Sequence, residues 1–167
     1  NGLFLTTDFH KYIKLIILIC IFFVLLVSKN KSKIEGIDFP EFNLLILLST
    51  CGMLIAVSSN SLMTLYLSLE LQALPIYILC SLRKKDLRSS EAGLKYFLLG
   101  ALSSGFLLFG ISLIYGFSGS VSYVEIMNND IKSNLGLNFG LIFLISGIAF
   151  KISAAPFHMW APDVYQG

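Results

Sequence analysis

The sequence predicts an all-α, polytopic transmembrane helix bundle, and three observations support this fold class. Hydrophobic residues make up 56% of the 167 residues, whereas soluble domains are about 45–50% apolar. The mean hydropathy is +0.80, and the apolar residues form blocks of roughly 20, the length of a membrane-spanning helix. Strand-like alternation with a period of two is absent, which argues against a membrane barrel.

Five apolar blocks are predicted to form the spanning helices, over residues 12–28, 42–58, 61–82, 91–117 and 135–155. Only the tight turn "SSNS" separates the second and third blocks, and Ser90 is the expected N-cap of the fourth. Pro156 should end or interrupt the fifth helix, because proline cannot continue the backbone hydrogen-bond ladder. We expect one transmembrane domain over 1–167, truncated or split at both ends, since the chain has no starting methionine and stops at "APDVYQG".

The loops between the blocks differ strongly in basic charge. One side carries Lys29, Lys31, Lys33, Arg83, Lys84, Lys85 and Arg88, and the other carries Lys11 and Lys132, with Lys14 at its border. Basic loops remain on the cytoplasmic or matrix side of a membrane. The segment is therefore predicted to begin outside and to end inside. The net charge of only +2 gives no indication of nucleic-acid binding.

Several polar and small residues receive structural interpretations. Ala101 and Gly105, four apart in the fourth block, have the small-xxx-small spacing that lets membrane helices approach closely. Trp160 and Tyr165 are typical of membrane-interface anchors, and Asp163 is typical of a turn cap. The sequence contains no glycine-rich phosphate loop, nucleophile elbow or His/Cys metal cluster, so no catalytic, cofactor-binding or metal-binding residue is expected.

Ionisable residues inside the apolar blocks are the strongest functional signal. Glu70 lies nine residues into the third block, roughly 14 Å deep, where an acid costs a few kcal/mol unless it is paired, protonated or hydrated. Lys151, roughly 20–24 Å along the fifth block, is a candidate partner at similar depth. Lys95, in the fourth block, has two possible partners: Glu91 at spacing i,i+4 or Glu70 in the interior.

Two readings of these charges remain open from the residues alone. An acid and an amine that share a proton suit a proton relay, since burial readily changes the charge state of lysine. The same two residues also suit a fixed ion pair that only locks helix packing. Lys95 is a further relay candidate, as is His158, although a single loop histidine more often forms a capping hydrogen bond.

Three motifs carry a family resemblance: "LYLSLELQALPIYIL", "SSEAGLKYFLLGALSSGFLLFGISLIYG" and "GIAFKISAAPFHMWAPDVYQG". They resemble the antiporter-like membrane subunits of respiratory complex I, NADH:ubiquinone oxidoreductase, in particular mitochondrial subunit 2 and bacterial subunit N. The resemblance implies one five-helix repeat, the third to seventh helices of the family, with the last helix interrupted. It also implies proton-transfer roles for Glu70 and Lys151, and an intramembrane polar role for Lys95. Gln166 departs from the glutamate of relatives.

The resemblance further implies a proton-translocating subunit of an H⁺-translocating NADH:ubiquinone reductase, with no redox chemistry in this chain. NADH, FMN, iron–sulfur clusters and ubiquinone would be bound by other subunits. Expected partners are membrane-arm subunits of complex I, including neighbouring antiporter-like subunits, lipids, and a second chain that supplies the rest of the subunit. The expected location is the mitochondrial inner membrane, with a bacterial plasma membrane as the alternative. A cation/proton antiporter subunit and a non-conducting structural subunit are the competing functions.

Overall fold

The computed structural model describes residues 2–35, 39–83, 86–128 and 135–166, and these residues form an all-helical bundle. The helices are α1 (Asp8–Glu35), α2 (Phe39–Val57), α3 (Leu62–Cys80), α4 (Leu87–Ser118), α5 (Tyr123–Met127), α6 (Leu135–Lys151) and α7 (Ala161–Gln166). By length and composition, α1 to α4 can each cross a membrane, and α6 is an apolar helix of 17 residues. The predicted fold class, an all-α polytopic membrane protein, is confirmed.

Several helix ends differ from the sequence-based expectation. The first helix is longer than 12–28, because lysine and glutamate have good helix propensity and continue it to Glu35. The fourth begins at Leu87 with Asp86 as its N-cap, whose carboxylate accepts a hydrogen bond from the Arg88 amide at 3.0 Å. The proposed cap Ser90 is therefore wrong, since Asp86 is an equally good N-cap one turn earlier. The short helix α5 was not expected.

One end of the bundle is held together by backbone hydrogen bonds between distant segments. The Leu5 amide donates to the Ser58 carbonyl at 2.9 Å, and the Leu62 amide donates to the Val121 carbonyl at 2.9 Å. Ser61 starts α3 with a capping box shared with Thr64. These segments lie at the end predicted to face outside. Of the basic residues behind the predicted orientation, Lys84, Lys85 and Lys132 lie outside the described residues.

The central helix α4 packs antiparallel to α6 through glycines that bring the two backbones into contact. A Cβ atom added at Gly110 would lie 2.7 Å from the Leu144 nitrogen and 2.8 Å from the Gly140 carbonyl oxygen. Glycine is required where helix backbones approach this closely.

The expected contact through Ala101 and Gly105 is wrong. Ala101 is exposed, and a Cβ atom at Gly105 would meet nothing within 4 Å. The spacing of small residues correctly predicted a close approach of α4 to another helix. The orientation of α4 about its axis decided which small residues lie at that contact.

The fifth predicted helix ends at Lys151 rather than at residue 155. Ser153 has a left-handed φ of 54°, and the amides of Ser153 and Ala154 donate to the carbonyls of Phe150 and Ala149 at 3.1 and 2.8 Å. This is a Schellman motif, which terminates a helix and satisfies its last carbonyl groups. Pro156 explains the early end, because its ring clashes with a helical residue 152 carbonyl and disfavours helical backbone at residue 155.

Substituting Gly110 with alanine should destabilise the bundle by about 1–3 kcal/mol, because the new methyl group overlaps backbone atoms of α6 that cannot rotate away. Thermal unfolding of the detergent-solubilised protein would show a lower midpoint. Gly116→Ala is the matched control on the same helix, since a Cβ atom there meets nothing within 4 Å. Its midpoint should be unchanged or higher, because alanine favours helix. Equal midpoints for the two variants would contradict this account of α4–α6 packing.

Candidate functional site

The structure brings Glu70 and Lys151 into direct contact inside the helix bundle. Lys151 Nζ donates to Glu70 Oε1 at 2.8 Å, and the side chains are 15% and 23% exposed for the lysine and the glutamate. Glu70 comes from the middle of α3, and Lys151 is the last residue of α6. The two charged residues are 81 positions apart in sequence, and they meet in largely apolar surroundings.

Ser104 of α4 is a third member of this cluster. Its hydroxyl donates to Glu70 Oε1 at 2.5 Å and lies 3.0 Å from the Gly100 carbonyl oxygen. The residue is only 7% exposed. Ser104 was not among the residues singled out from the sequence. Helical spacing puts Ser104 on the same face of α4 as Gly100, Leu107 and Ile111. The structure buries that face, which the sequence alone did not indicate.

The end of α6 contributes to the electrostatics at Lys151. The last turn of a helix carries a partial negative charge, which favours a cation there. Lys151 is the basic residue of that turn. Because the chain leaves the helix directly after it, through the Schellman motif, the lysine lies at the boundary between α6 and the turns that precede α7.

Trp160 fixes the segment that follows the helix end. Its indole Nε1–H donates to the Phe150 carbonyl at 3.2 Å, and its ring stacks on Tyr96 at 4.7 Å and on Phe150 at 5.8 Å between centroids. The residue is 8% exposed. The expectation of an interface anchor is therefore wrong for Trp160, because the chain folds back and buries the indole between α4 and α6.

A cavity of about 150 Å³ adjoins the pair on the side of the basic loops. Its polar lining consists of Gln72, Tyr77, Tyr96 and Lys151. Tyr77 lies two turns beyond Glu70 along α3, and its hydroxyl occupies the space beside Gly100 that a larger side chain would fill. The rest of its lining is apolar, but a cavity of this size with several polar groups in its wall can hold water molecules. Lys151 is thus in contact with Glu70 and also with a space that water can enter.

Lys95 is separate from this cluster. Its ammonium group lies 2.9 Å from Glu91 Oε1 and 3.0 Å from Asp163 Oδ2, and its side chain is 43% exposed. Hydrogen bonds to two acids dominate its surroundings, and Glu70 is not its partner. Of the two expected alternatives, the structure shows the pairing with Glu91. Asp163, expected to cap a turn, instead connects α7 to α4, a contact between residues 68 apart in sequence that spacing could not indicate.

His158 also lies away from the pair. Its side chain is exposed, and its backbone carbonyl accepts a hydrogen bond from the Ala161 amide at 3.1 Å, at the start of α7. The structure therefore brings together Glu70 and Lys151 of the four candidate residues, adds Ser104, and leaves Lys95 and His158 elsewhere. Among the residues that the structure describes, no three His, Cys, Asp or Glu side chains are grouped as metal ligands would be.

Comparison with known proteins identifies relatives for the whole chain. It is 49% identical over 162 residues to NADH-quinone oxidoreductase subunit N of Bartonella bacilliformis, covering 95% of this chain and 33% of the relative. It is 49% identical over 170 residues to subunit N 1 of Rhizobium meliloti, covering 100% of this chain and 35% of the relative. The chain thus spans about a third of the length of these curated relatives.

A solved structure shares the fold and the sequence pattern. Respiratory complex I from Thermus thermophilus with bound aureothin contains a chain that matches with a TM-score of 0.69 and 40% identity, over 78% of this chain and 29% of that one. The resemblance to subunit N, inferred from three motifs, is confirmed by these matches. Residues 59–167 match the family described as NADH:quinone oxidoreductase/Mrp antiporter, TM, and the chain belongs to that family of membrane proteins.

Proposed function

We propose that the chain is part of a proton-translocating membrane subunit of NADH:quinone oxidoreductase, respiratory complex I, in which Glu70 and Lys151 carry the proton. The observation that carries the proposal is the 2.8 Å contact between a carboxylate and an ammonium group that are 23% and 15% exposed. Intramembrane ionisable residues of this kind are rare and usually functional. The identity of 49% to subunit N of two bacteria supports the assignment.

The chemistry requires one proton shift along a short hydrogen bond. Transfer of a proton from Lys151 Nζ to the Glu70 carboxylate converts the ion pair into a neutral amine and a neutral acid, with no change in net charge. In a weakly polar interior, the energies of these two states depend strongly on nearby charges and on water. A change in field or hydration transmitted from elsewhere in the complex would therefore be enough to move the proton to Glu70. The neutral Lys151 amine would then take up a further proton from water, which loads the pair, and release of a proton from Glu70 would empty it.

The cavity beside Lys151 is the proposed entrance for the proton from the cytoplasmic or matrix side. Gln72, Tyr77 and Tyr96 supply amide and hydroxyl groups that water molecules can bind. A proton delivered there reaches Lys151 first and Glu70 second. Lys95 and His158 are outside this route; we propose that Lys95 holds α7 against α4 through Asp163, since these two side chains lie 3.0 Å apart.

The remaining parts of the reaction are assigned to other subunits. NADH oxidation with FMN and iron–sulfur clusters, and quinone reduction, would take place there, and their energy would reach this subunit as a change in field and hydration. Membrane-arm neighbours, lipids and the rest of the subunit would cover apolar faces such as that of α1, in which no residue from Asp8 to Ser28 is buried within this chain. The two bacterial relatives favour a plasma membrane over the mitochondrial inner membrane that was expected first.

A second candidate function follows from the family itself, whose description includes Mrp antiporters. In that case the same pair would serve cation/proton exchange without an electron-transfer chain. The flanking subunits distinguish the two functions. Affinity purification of the tagged chain from its native membrane should recover flavin and iron–sulfur proteins if it belongs to complex I. Recovery of antiporter subunits without flavin or iron–sulfur absorbance would favour the antiporter instead.

Replacing either member of the pair should impair proton movement. Glu70→Gln and Lys151→Ala are expected to lower proton translocation by the assembled complex about tenfold or more, because a positioned proton carrier contributes at least that factor. The measurement is the initial rate of vesicle acidification per NADH oxidised. Glu41→Gln is the control, since it makes the same change at an exposed acid in the first turn of α2. Unchanged translocation in both pair variants, with normal assembly, would leave only the fixed structural pair.

Lys95 and Asp163 should behave differently from the central pair. Lys95→Ala and Asp163→Ala are expected to loosen α7, seen as faster hydrogen exchange of the amides of Ala161–Gln166. Proton translocation per NADH should change about twofold or less, because an exposed ion pair contributes little. The double variant should show no more exchange than either single variant, since both remove the same contact. A tenfold loss of translocation in Lys95→Ala, with α7 still protected, would instead make Lys95 a proton carrier.

A further inference from the structure

The Ser104 hydroxyl lies between two acceptors and has only one proton to donate. Glu70 Oε1 is 2.5 Å from Ser104 Oγ, and the carbonyl oxygen of Gly100, one turn earlier on α4, is 3.0 Å away. Both distances are within hydrogen-bond range. A serine hydroxyl can donate one hydrogen bond and accept two, so rotation about its C–O bond selects the acceptor without moving any heavy atom.

With Glu70 ionised, the hydroxyl proton points to the carboxylate. Glu70 Oε1 then accepts from Lys151 Nζ at 2.8 Å and from Ser104 Oγ at 2.5 Å. Hydrogen bonds to a charged acceptor are about twice as strong as neutral ones. The serine thus adds a second donor to a carboxylate that is largely removed from water.

When Glu70 is protonated and Lys151 is still an ammonium group, Glu70 needs an acceptor rather than a donor, and the Ser104 hydroxyl can supply it. The acid now carries a proton that must be donated, and the ammonium group has three donors and no acceptor. Ser104 Oγ is the neighbouring oxygen that can accept from Glu70, provided its own proton turns to the Gly100 carbonyl. That carbonyl is already in place, so the doubly protonated pair keeps its hydrogen bonds.

We propose that Ser104 is a positioning residue whose hydroxyl reverses direction with the protonation state of Glu70 and so keeps both states of the acid hydrogen-bonded. The inference rests on the proposed function, because it acts through Glu70. A buried polar group left without a partner costs more free energy than a typical hydrogen bond contributes. Without this hydroxyl, the ionised acid would lose one of its two donors and the protonated acid would lose its acceptor, and the cycle would slow at the step that protonates Glu70.

The adjacent serine supplies the contrast. Ser103 is fully buried, at 0% exposure, and its hydroxyl donates to the Gly147 carbonyl at 3.0 Å. It therefore joins α4 to α6 through a bond that does not involve Glu70 or Lys151. Both serines lie on the same helix and are buried against neighbouring helices, but only one hydroxyl contacts the acid.

The test uses the assembled complex in vesicles and measures proton translocation per NADH oxidised. Ser104→Ala should lower it about three- to tenfold, the effect of one lost hydrogen bond, and Ser104→Thr, which retains a hydroxyl, should restore it to within about twofold. Ser103→Ala should leave translocation unchanged. If Ser104→Ala fails to assemble, Ser104→Cys preserves the volume and replaces the hydroxyl by a weak thiol donor, and it should show the same loss.

A cycle with Glu70→Gln separates the possible outcomes. If Ser104 acts through Glu70, adding Ser104→Ala to Glu70→Gln should not lower the residual rate further. An additive loss, or an equal loss in Ser103→Ala, would reduce Ser104 to a packing residue and overturn the inference. Normal translocation in Ser104→Ala with impaired Glu70→Gln would overturn this inference alone. Normal translocation in Glu70→Gln would overturn the proposed function, and the inference with it.

Discussion

Glu70 and Lys151 carry opposite charges and meet at 2.8 Å in a largely buried part of the helix bundle. Each ion alone would cost several kcal/mol to remove from water, and their attraction compensates for that cost only with good geometry and additional hydrogen bonds. The structure meets both conditions with a 2.8 Å contact and with the Ser104 hydroxyl on the same carboxylate oxygen. Three helices, α3, α4 and α6, must therefore keep a fixed relative position, which their glycine contacts and buried serines provide.

Because α6 ends at Lys151, this largely buried lysine has two different neighbours, the Glu70 carboxylate and the cavity. Were the helix to continue to residue 155, Lys151 would be surrounded by regular helix on both sides. The Schellman motif at Ser153 instead ends the helix at Lys151. The ring of Trp160 stacks on Tyr96 and Phe150 and holds the following segment against α4, and a cavity with polar groups in its lining lies beside the lysine.

Lys95 and Lys151 both lie inside apolar blocks of the sequence, but their surroundings in the structure differ. Lys95 has two acids within 3.0 Å and is 43% exposed, whereas Lys151 has one acid and is 15% exposed. An ion pair as exposed as that of Lys95 is weakened by water and salt and contributes little energy. Lys151 is largely removed from water, so the energy of its contact with Glu70 depends more strongly on nearby charges and on hydration.

Hydropathy and spacing were sufficient to determine the membrane class, the approximate positions of the long helices and the two charges inside apolar blocks, because each depends on composition or on residues close in sequence. The family followed from the resemblance of three motifs. Which residues meet was decided by tertiary structure. A helix turns about 100° per residue, which places Gly110 on the side of α4 opposite Ala101 and about 140° from Gly105, so the orientation of α4 about its axis decides which residues contact α6. The partners Asp163 for Lys95 and Ser104 for Glu70 are 68 and 34 residues away. Such pairings depend on the relative placement of whole helices, which no local pattern contains.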